Sequence, residues 1–173
     1  MNLVNELGDE EQRKRILTEA VPMKKIMSFG LTEPLNGSDA SGLTTFAKKV
    51  EGGYLLNGQK RWIGNATWAD YICVWARNSS DGDQVQCFVV TKGSKGLKTS
   101  KIENKYSFRM VQNTDIEFHD VFVPESNKLT KAKNFATGTN KILESSRLGI
   151  AWMISGLASG AYEAAVKYAI NRK

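Results

Sequence analysis

With 173 residues, 41% of them hydrophobic, 24% charged and only three prolines, the chain has the size and make-up of an ordinary domain that buries a core unaided, which excludes wholesale disorder. Its 24 Lys+Arg against 18 Asp+Glu, a net charge of +6, are dispersed without an arginine-rich helix or interleaved aromatic platform; this argues against a nucleic-acid partner and leaves cofactor phosphates or a solvated basic surface as outlets. Two cysteines and one histidine offer neither a disulfide framework nor zinc-ligand spacing, and no apolar run approaches the ~20 residues of a membrane helix, so neither a metal site nor a membrane span is expected.

Met1 to Arg15 is acidic and mixed rather than signal-like. Asp9 reads as a helix cap, Glu10 and Glu11 as its first turn and Ile16, Leu17 and Ala20 as a modest apolar face, predicting a helix over 9–20 that ends at Pro22. From residue 26 to residue 123 the pattern changes to β-branched and aromatic runs separated by Gly, Asn and Asp. Strands are predicted at 27–31, 44–50, 54–56, 61–63, 71–76, 85–91, 98–102 and 115–118. Gly52-Gly53, Asp81-Gly82 and above all Asn57-Gly58 read as turns. Cys73 and Cys87 sit inside apolar runs and read as reduced core thiols. After Pro124, a polar connection leads to apolar residues at three- and four-residue steps (Leu143, Ile150, Ile154, Leu157, Ala161), predicting one long amphipathic helix from about Thr139 to the carboxyl end.

The expected class is therefore α+β: an antiparallel β-barrel or sandwich middle domain, 27–125, between the end of an amino-terminal helical domain, 1–26, and the start of a carboxyl-terminal one, 126–173. Neither terminal helix has enough neighbours in the chain to cover its apolar stripe, so both are expected to continue into helical domains or to meet other subunits. The segment Phe29 to Asp39 carries the first chemical signal. Pro34 fixes its φ, Gly37 permits a conformation closed to other residues, and Thr32 and Ser38 offer hydroxyls beside backbone N–H groups. Such a turn grips an anionic or carbonyl-rich planar ligand, or it is an ordinary strand-exit loop.

The string Leu31-Thr32-Glu33-Pro34 followed by Gly37-Ser38-Asp39, with Asn57-Gly58-Gln59-Lys60 leading into Trp62-Ile63-Gly64-Asn65, resembles the two flavin-contacting segments of the acyl-CoA dehydrogenase and acyl-CoA oxidase family. Asp115 to Phe118 with Val121 to Pro124 resembles the end of the family's β-domain. Ser145 to Trp152 resembles the opening of its first carboxyl-terminal helix, closest to glutaryl-CoA dehydrogenases and peroxisomal short-chain acyl-CoA oxidases.

The resemblance implies FAD as cofactor, an acyl-CoA substrate and a homo-oligomer built as a dimer of dimers. It implies electron-transfer flavoprotein as partner if the protein is a dehydrogenase, molecular oxygen if an oxidase. By position it places Phe29, Leu31, Thr32, Gly37, Ser38, Trp62, Ile63, Gly64 and Arg172 at the cofactor, and Ser38, Glu144 and Arg147 at the substrate, with Glu144 departing from the usual Asp. No carboxylate of the chain matches the family's catalytic base, a glutamate far along the carboxyl-terminal helical domain and so beyond Lys173, and none is assigned. The resemblance also implies an organelle matrix, peroxisomal or mitochondrial, in a eukaryote and the cytoplasm in a bacterium. Two readings stand: part of a catalytic subunit, inactive alone, or a non-catalytic flavin- or acyl-CoA-binding or structural subunit derived from the family.

Overall fold

Asp9 opens its helix as its chemistry dictates. Its carboxylate accepts from the Gln12 backbone N–H at 2.8 Å, and the Gln12 side-chain carbonyl accepts from the Asp9 N–H at 3.1 Å, so two otherwise orphaned donors are satisfied reciprocally. This helix, α2 (Glu10–Ala20), follows a short α1 (Asn2–Leu7) that the sequence pattern does not announce. Leu3, Val4 and Leu7 of α1 and Ile16 and Ala20 of α2 are buried. The amino-terminal stripe thus finds cover within the chain, contrary to expectation. Gln12 helps fix it, donating to the carbonyls of Ser126 at 3.0 Å and Lys128 at 2.7 Å. The computed structural model describes residues 1–173 as two units, 1–139 and 140–173.

The first unit is built on one seven-stranded sheet: β1 (Met27–Gly30), β2 (Phe46–Val50), β3 (Gly53–Gly64), β4 (Tyr71–Asn78), β5 (Gln84–Thr91), β6 (Leu97–Lys101) and β7 (Asn113–Pro124). The order is β1-β4-β2-β3-β7-β6, with β5 also on β4. The α+β class stands, but the sheet is mixed. β1 runs parallel to Tyr71–Val74 of β4 and β2 runs parallel to Arg77–Asn78, while the other pairs are antiparallel. Parallel pairs need long crossovers, and the stretch from residue 31 to residue 70 supplies one for β1.

Two of the expected strands, 54–56 and 61–63, are a single strand, β3. The hairpin turn between β2 and β3 is Glu51-Gly52, one residue before the expected Gly52-Gly53, with Gly52 at φ 73°, and Asn57-Gly58 is mid-strand. Asn57 exchanges two 2.9 Å hydrogen bonds with Asp120 of β7, where β7 carries one extra residue against β3. Gly58 is needed for close approach rather than for a turn, since a Cβ there would stand 2.6 Å from the Thr45 hydroxyl oxygen.

The core lies on the inner face of the sheet, around Leu56, Ile72, Val74, Phe88, Ile116 and Phe118. Burying each such side chain contributes roughly 1.5–3 kcal/mol. In β4 the five residues Ile72 to Ala76 are all buried, which is why its sequence reads as a continuous apolar run rather than an alternation. Cys73 and Cys87 are buried and unbridged. The second unit is α3 (Lys141–Asn171), entered from a π-turn over Ala136–Asn140. Its Leu148, Ile150, Trp152, Leu157 and Tyr168 are exposed. No helix is long and apolar enough to cross a membrane.

Candidate functional site

β1 is short, and its side chains alternate between the sheet and solvent. Ser28 is buried and its hydroxyl donates to the Gly64 carbonyl at 2.7 Å, whereas Phe29 is 37% exposed and Gly30 is again buried. Beyond Gly30 the chain is held by β3 through three consecutive residues. The Lys60 ammonium donates to the Leu31 carbonyl at 3.0 Å, the Arg61 backbone N–H to the Thr32 carbonyl at 2.9 Å, and the Lys60 ammonium again to the Glu33 carboxylate at 2.8 Å.

Glu33 points inward rather than into solvent. Besides Lys60, its carboxylate accepts from the Thr44 N–H (2.6 Å), the Thr44 hydroxyl (2.8 Å) and the Thr45 N–H (2.9 Å). The Lys60 and Glu33 side chains are 0% and 3% exposed. Burial works against the Glu33 charge, but Lys60 and the threonine donors outweigh it and hold the carboxyl at about 2. For Lys60 burial is the larger influence, and despite Glu33 it brings the ammonium down to about 8. The turn that follows, Pro34 to Ser38, is largely exposed. It ends at Asp39, which caps a short 3-10 turn by accepting from the Gly42 N–H at 3.1 Å and the Ser41 hydroxyl at 2.6 Å.

The second segment owes its shape to a bulge. Between the pairs Lys60↔Ile116 and Ile63↔Thr114, β3 spends three residues where β7 spends two. Trp62 takes φ 64°, a conformation that costs a bulky residue on the order of 1–2 kcal/mol. Trp62 is 50% exposed, with the Arg61 guanidinium 5.2 Å from its ring centroid, while Ile63 turns into the core. Asn113 donates to the Trp62 carbonyl at 3.0 Å. Gln112 accepts from the Trp68 indole at 2.7 Å and from the Thr67 hydroxyl at 2.9 Å. An open cavity of about 410 Å³ borders the Trp62 ring, with Tyr106, Phe108 and Asn113 among its lining.

Of the residues singled out in the sequence, Phe29, Leu31, Thr32, Trp62, Ile63 and Gly64 come together, because the Arg61–Thr32 and Ser28–Gly64 bonds tie their segments side by side. Trp62 presents its ring to solvent and Phe29, partly exposed, also packs its ring edge-on against Trp75 at 6.4 Å between centroids, whereas Leu31 and Ile63 are buried and offer only their backbone. Gly37 and Ser38 lie on the exposed turn. Gly37 does not adopt the left-handed conformation expected of it, and a Cβ there would meet nothing within 4 Å, so what it leaves is open space. Glu144 and Arg147 lie on the exposed surface of α3, and Arg172, just past its end, has its guanidinium 5.8 Å from the Tyr168 ring. These three belong to the second unit. Lys60, with Thr44 and Thr45, escaped the sequence reading. The available signal was a lysine at an inward position of an apolar strand, which calls for a buried carboxylate partner.

The family model described as acyl-CoA dehydrogenase, middle domain, matches residues 28–121. Among curated proteins, the caffeyl-CoA reductase-Etf complex subunit CarC of Acetobacterium woodii is 37% identical over 96% of this chain and 44% of its own length. Among solved structures, glutaryl-CoA dehydrogenase from Mycobacterium smegmatis superposes with a TM-score of 0.93 at 31% identity, over 99% of this chain and 43% of that one. A glutaryl-CoA dehydrogenase from the same organism in complex with FADH2 gives 0.74 at 31% identity, over 79% and 35%. The chain spans less than half the length of the curated relatives it matches.

Proposed function

The chain belongs to the acyl-CoA dehydrogenase family, and from that premise we propose that it supplies the flavin-holding part of an FAD-dependent enzyme that introduces the α,β double bond of an acyl-CoA thioester. The observation that carries this reading is the stitching of two segments about thirty residues apart by the Arg61–Thr32 and Ser28–Gly64 hydrogen bonds. The bonds set the exposed rings of Phe29 and Trp62 on neighbouring segments.

The residues present fit a flavin. The carbonyls of Leu31 and Thr32 are taken up by Lys60 and Arg61, so that edge of the loop offers donors, namely the Thr32 hydroxyl and backbone N–H groups, toward a ring that becomes electron-rich. Trp62 offers an apolar plate to pack on the ring, with backbone contacts from Ile63 and Gly64 and open space left by Gly37 and Ser38. When bound, FAD supplies the acceptor for the hydride that leaves the β-carbon. The chain's own part is to bind and orient the ring, to keep water from it with Phe29 and Trp62, and to present donors to it. Glu144 and Arg147 are assigned to the acyl-CoA, and Arg172 to the cofactor's phosphates. Glu33, locked to Lys60, is unsuited to abstract the α-proton, and no catalytic base is assigned within residues 1–173. Residues 1–26, 27–125 and 126–173 are assigned to amino-terminal helical, β and carboxyl-terminal helical domains of that enzyme.

Electron-transfer flavoprotein is the proposed electron acceptor, supported by the relative from an Etf complex, and a homo-oligomer is the proposed assembly. The test uses the full-length protein. Purified, it should be yellow and lose that colour when an acyl-CoA is added without oxygen; folded, colourless and inert material would favour a non-catalytic subunit instead. Hydrogen peroxide formation on turnover, in place of reduction of an electron carrier, would reassign it as an oxidase.

A further inference from the structure

The buried ion pair between Lys60 and Glu33 contributes nothing to the reaction just described, yet it stands directly beneath the residues assigned to the cofactor. One ammonium reaches both sides of Thr32, donating to the Leu31 carbonyl at 3.0 Å and to the Glu33 carboxylate at 2.8 Å. The Thr32 carbonyl between them accepts from the next residue of β3, Arg61. Glu33 in turn gathers the N–H groups of Thr44 and Thr45, which closes residues 33 to 44 into a loop at a buried clasp, while Arg77 of β4 holds the loop's outer side by donating to the carbonyls of Leu43 at 2.7 Å and Ser41 at 2.8 Å. A structural ion pair would serve the fold as well anywhere in the core, and an apolar pair of similar volume would serve it about equally. This one is spent on the loop: Lys60 turns the Leu31 carbonyl toward β3 and anchors Glu33 on the far side of Thr32, whose own carbonyl then meets the Arg61 N–H.

We propose that Lys60 and Glu33 are positioning residues that clasp the 31–45 loop onto β3, so that the loop's hydrogen-bond donors rather than its carbonyls face the flavin. The clasp acts through Leu31 and Thr32 and touches no ligand. Its loop-holding part stands on the geometry alone, and its consequence for the cofactor rests on the flavin reading above.

The test is made on the full-length protein carrying Lys60→Met, with Glu33→Gln, which keeps the side-chain volume, as the second variant should the first fail to fold. Lys98→Met, at an exposed lysine of β6, is the control. Amide hydrogen exchange reads the clasp directly, because the Arg61 N–H is protected by the Thr32 carbonyl and not by either altered side chain. Its exchange should quicken by about tenfold or more relative to that of Val74 in the β4 ladder. Affinity for FAD, followed by flavin fluorescence, should weaken by about tenfold in the same variant and stay unchanged in the control. The proposal is overturned if Arg61 stays protected, if Arg61 and Val74 quicken equally, or if the loop loosens while FAD affinity holds. Wild-type protein that takes up no FAD would instead sink the flavin reading, and the Arg61 exchange would still decide whether the clasp holds the loop.

Discussion

Replacing Trp62 with glycine should leave the fold nearly as stable as before, an unusual expectation for the loss of a tryptophan from a β-strand. The native φ of 64° costs a bulky residue about 1–2 kcal/mol that glycine does not incur. Against that relief stand the glycine's greater chain entropy in a strand, about 0.5–1 kcal/mol, and the stacking of Arg61 on the ring at 5.2 Å, about 0.5–1 kcal/mol at an exposed site. The covered half of the residue contributes roughly 1 kcal/mol more. The Asn113 bond to the residue-62 carbonyl survives the change. The terms nearly cancel, and the net loss should not exceed about 2 kcal/mol. Trp75, fully buried, should lose about 3–5 kcal/mol on truncation to alanine. Urea unfolding followed by far-UV circular dichroism measures both, independent of the tryptophan fluorescence that the substitutions alter. A loss above about 3 kcal/mol for Trp62→Gly would mean that the ring belongs to the core, and the reading of Trp62 as an outward-facing platform would fail.

Acid should reveal Glu33. Its folded value of about 2 lies below the ordinary 4.5, so the charged carboxylate contributes stability that is fully present above about pH 4.5 and lost as the pH falls toward 2. The pH dependence of stability over that interval should flatten in Glu33→Gln, and an unchanged slope would contradict the buried pair. Gly96 has φ 83°, and a Cβ there would stand 2.0 Å from the His119 carbonyl oxygen, whereas Gly82, at φ 56°, faces open space. Gly82→Ala should therefore cost only the backbone strain, about 1 kcal/mol, and Gly96→Ala at least about 2 kcal/mol more; equal shifts in melting temperature would refute the clash. Cys73 and Cys87 are buried, and burial pushes the Cys87 thiol well up, so a thiol reagent should modify both only on unfolding, and stoichiometric labelling of the native protein would contradict the packing.

The parts of the fold that were legible in the sequence are those fixed by local chemistry or by a long pattern. Asp9 and Gln12 form a cap whoever their neighbours are, the β-branched and aromatic run Tyr71 to Ala76 reads as a strand and is one, and the switch to three- and four-residue spacing after residue 140 announces α3. What misled was information that resides in a partner strand. Asn57-Gly58 has the composition of a hairpin turn, but Thr45 stands close to Gly58 and Asp120 engages Asn57, so tertiary contacts keep β3 continuous through it. The short α1 has too few turns to give a period, and its three buried residues are explained only once the chain is folded over them.

The candidate site was legible as two motifs and illegible as a mechanism of support, and the bulge in β3 explains both facts. Under strict alternation residues 60 and 62 share a face, so a reader who takes Trp62 for a platform must expose Lys60, and one who buries Lys60 must bury Trp62. The extra residue between Lys60 and Ile63 breaks that link. Lys60 goes inward to 0% side-chain exposure, Trp62 turns outward to 50%, and Ile63 takes the next core position. A single insertion thus makes an anchor below the proposed ligand-facing surface and a plate above it, from side chains two residues apart. Nothing in the local composition marks the inserted residue. The strand's regularity fails there, at the point where the proposed site calls for a cation on one side and an aromatic ring on the other, and the left-handed φ of Trp62 is the strain by which the fold holds that arrangement.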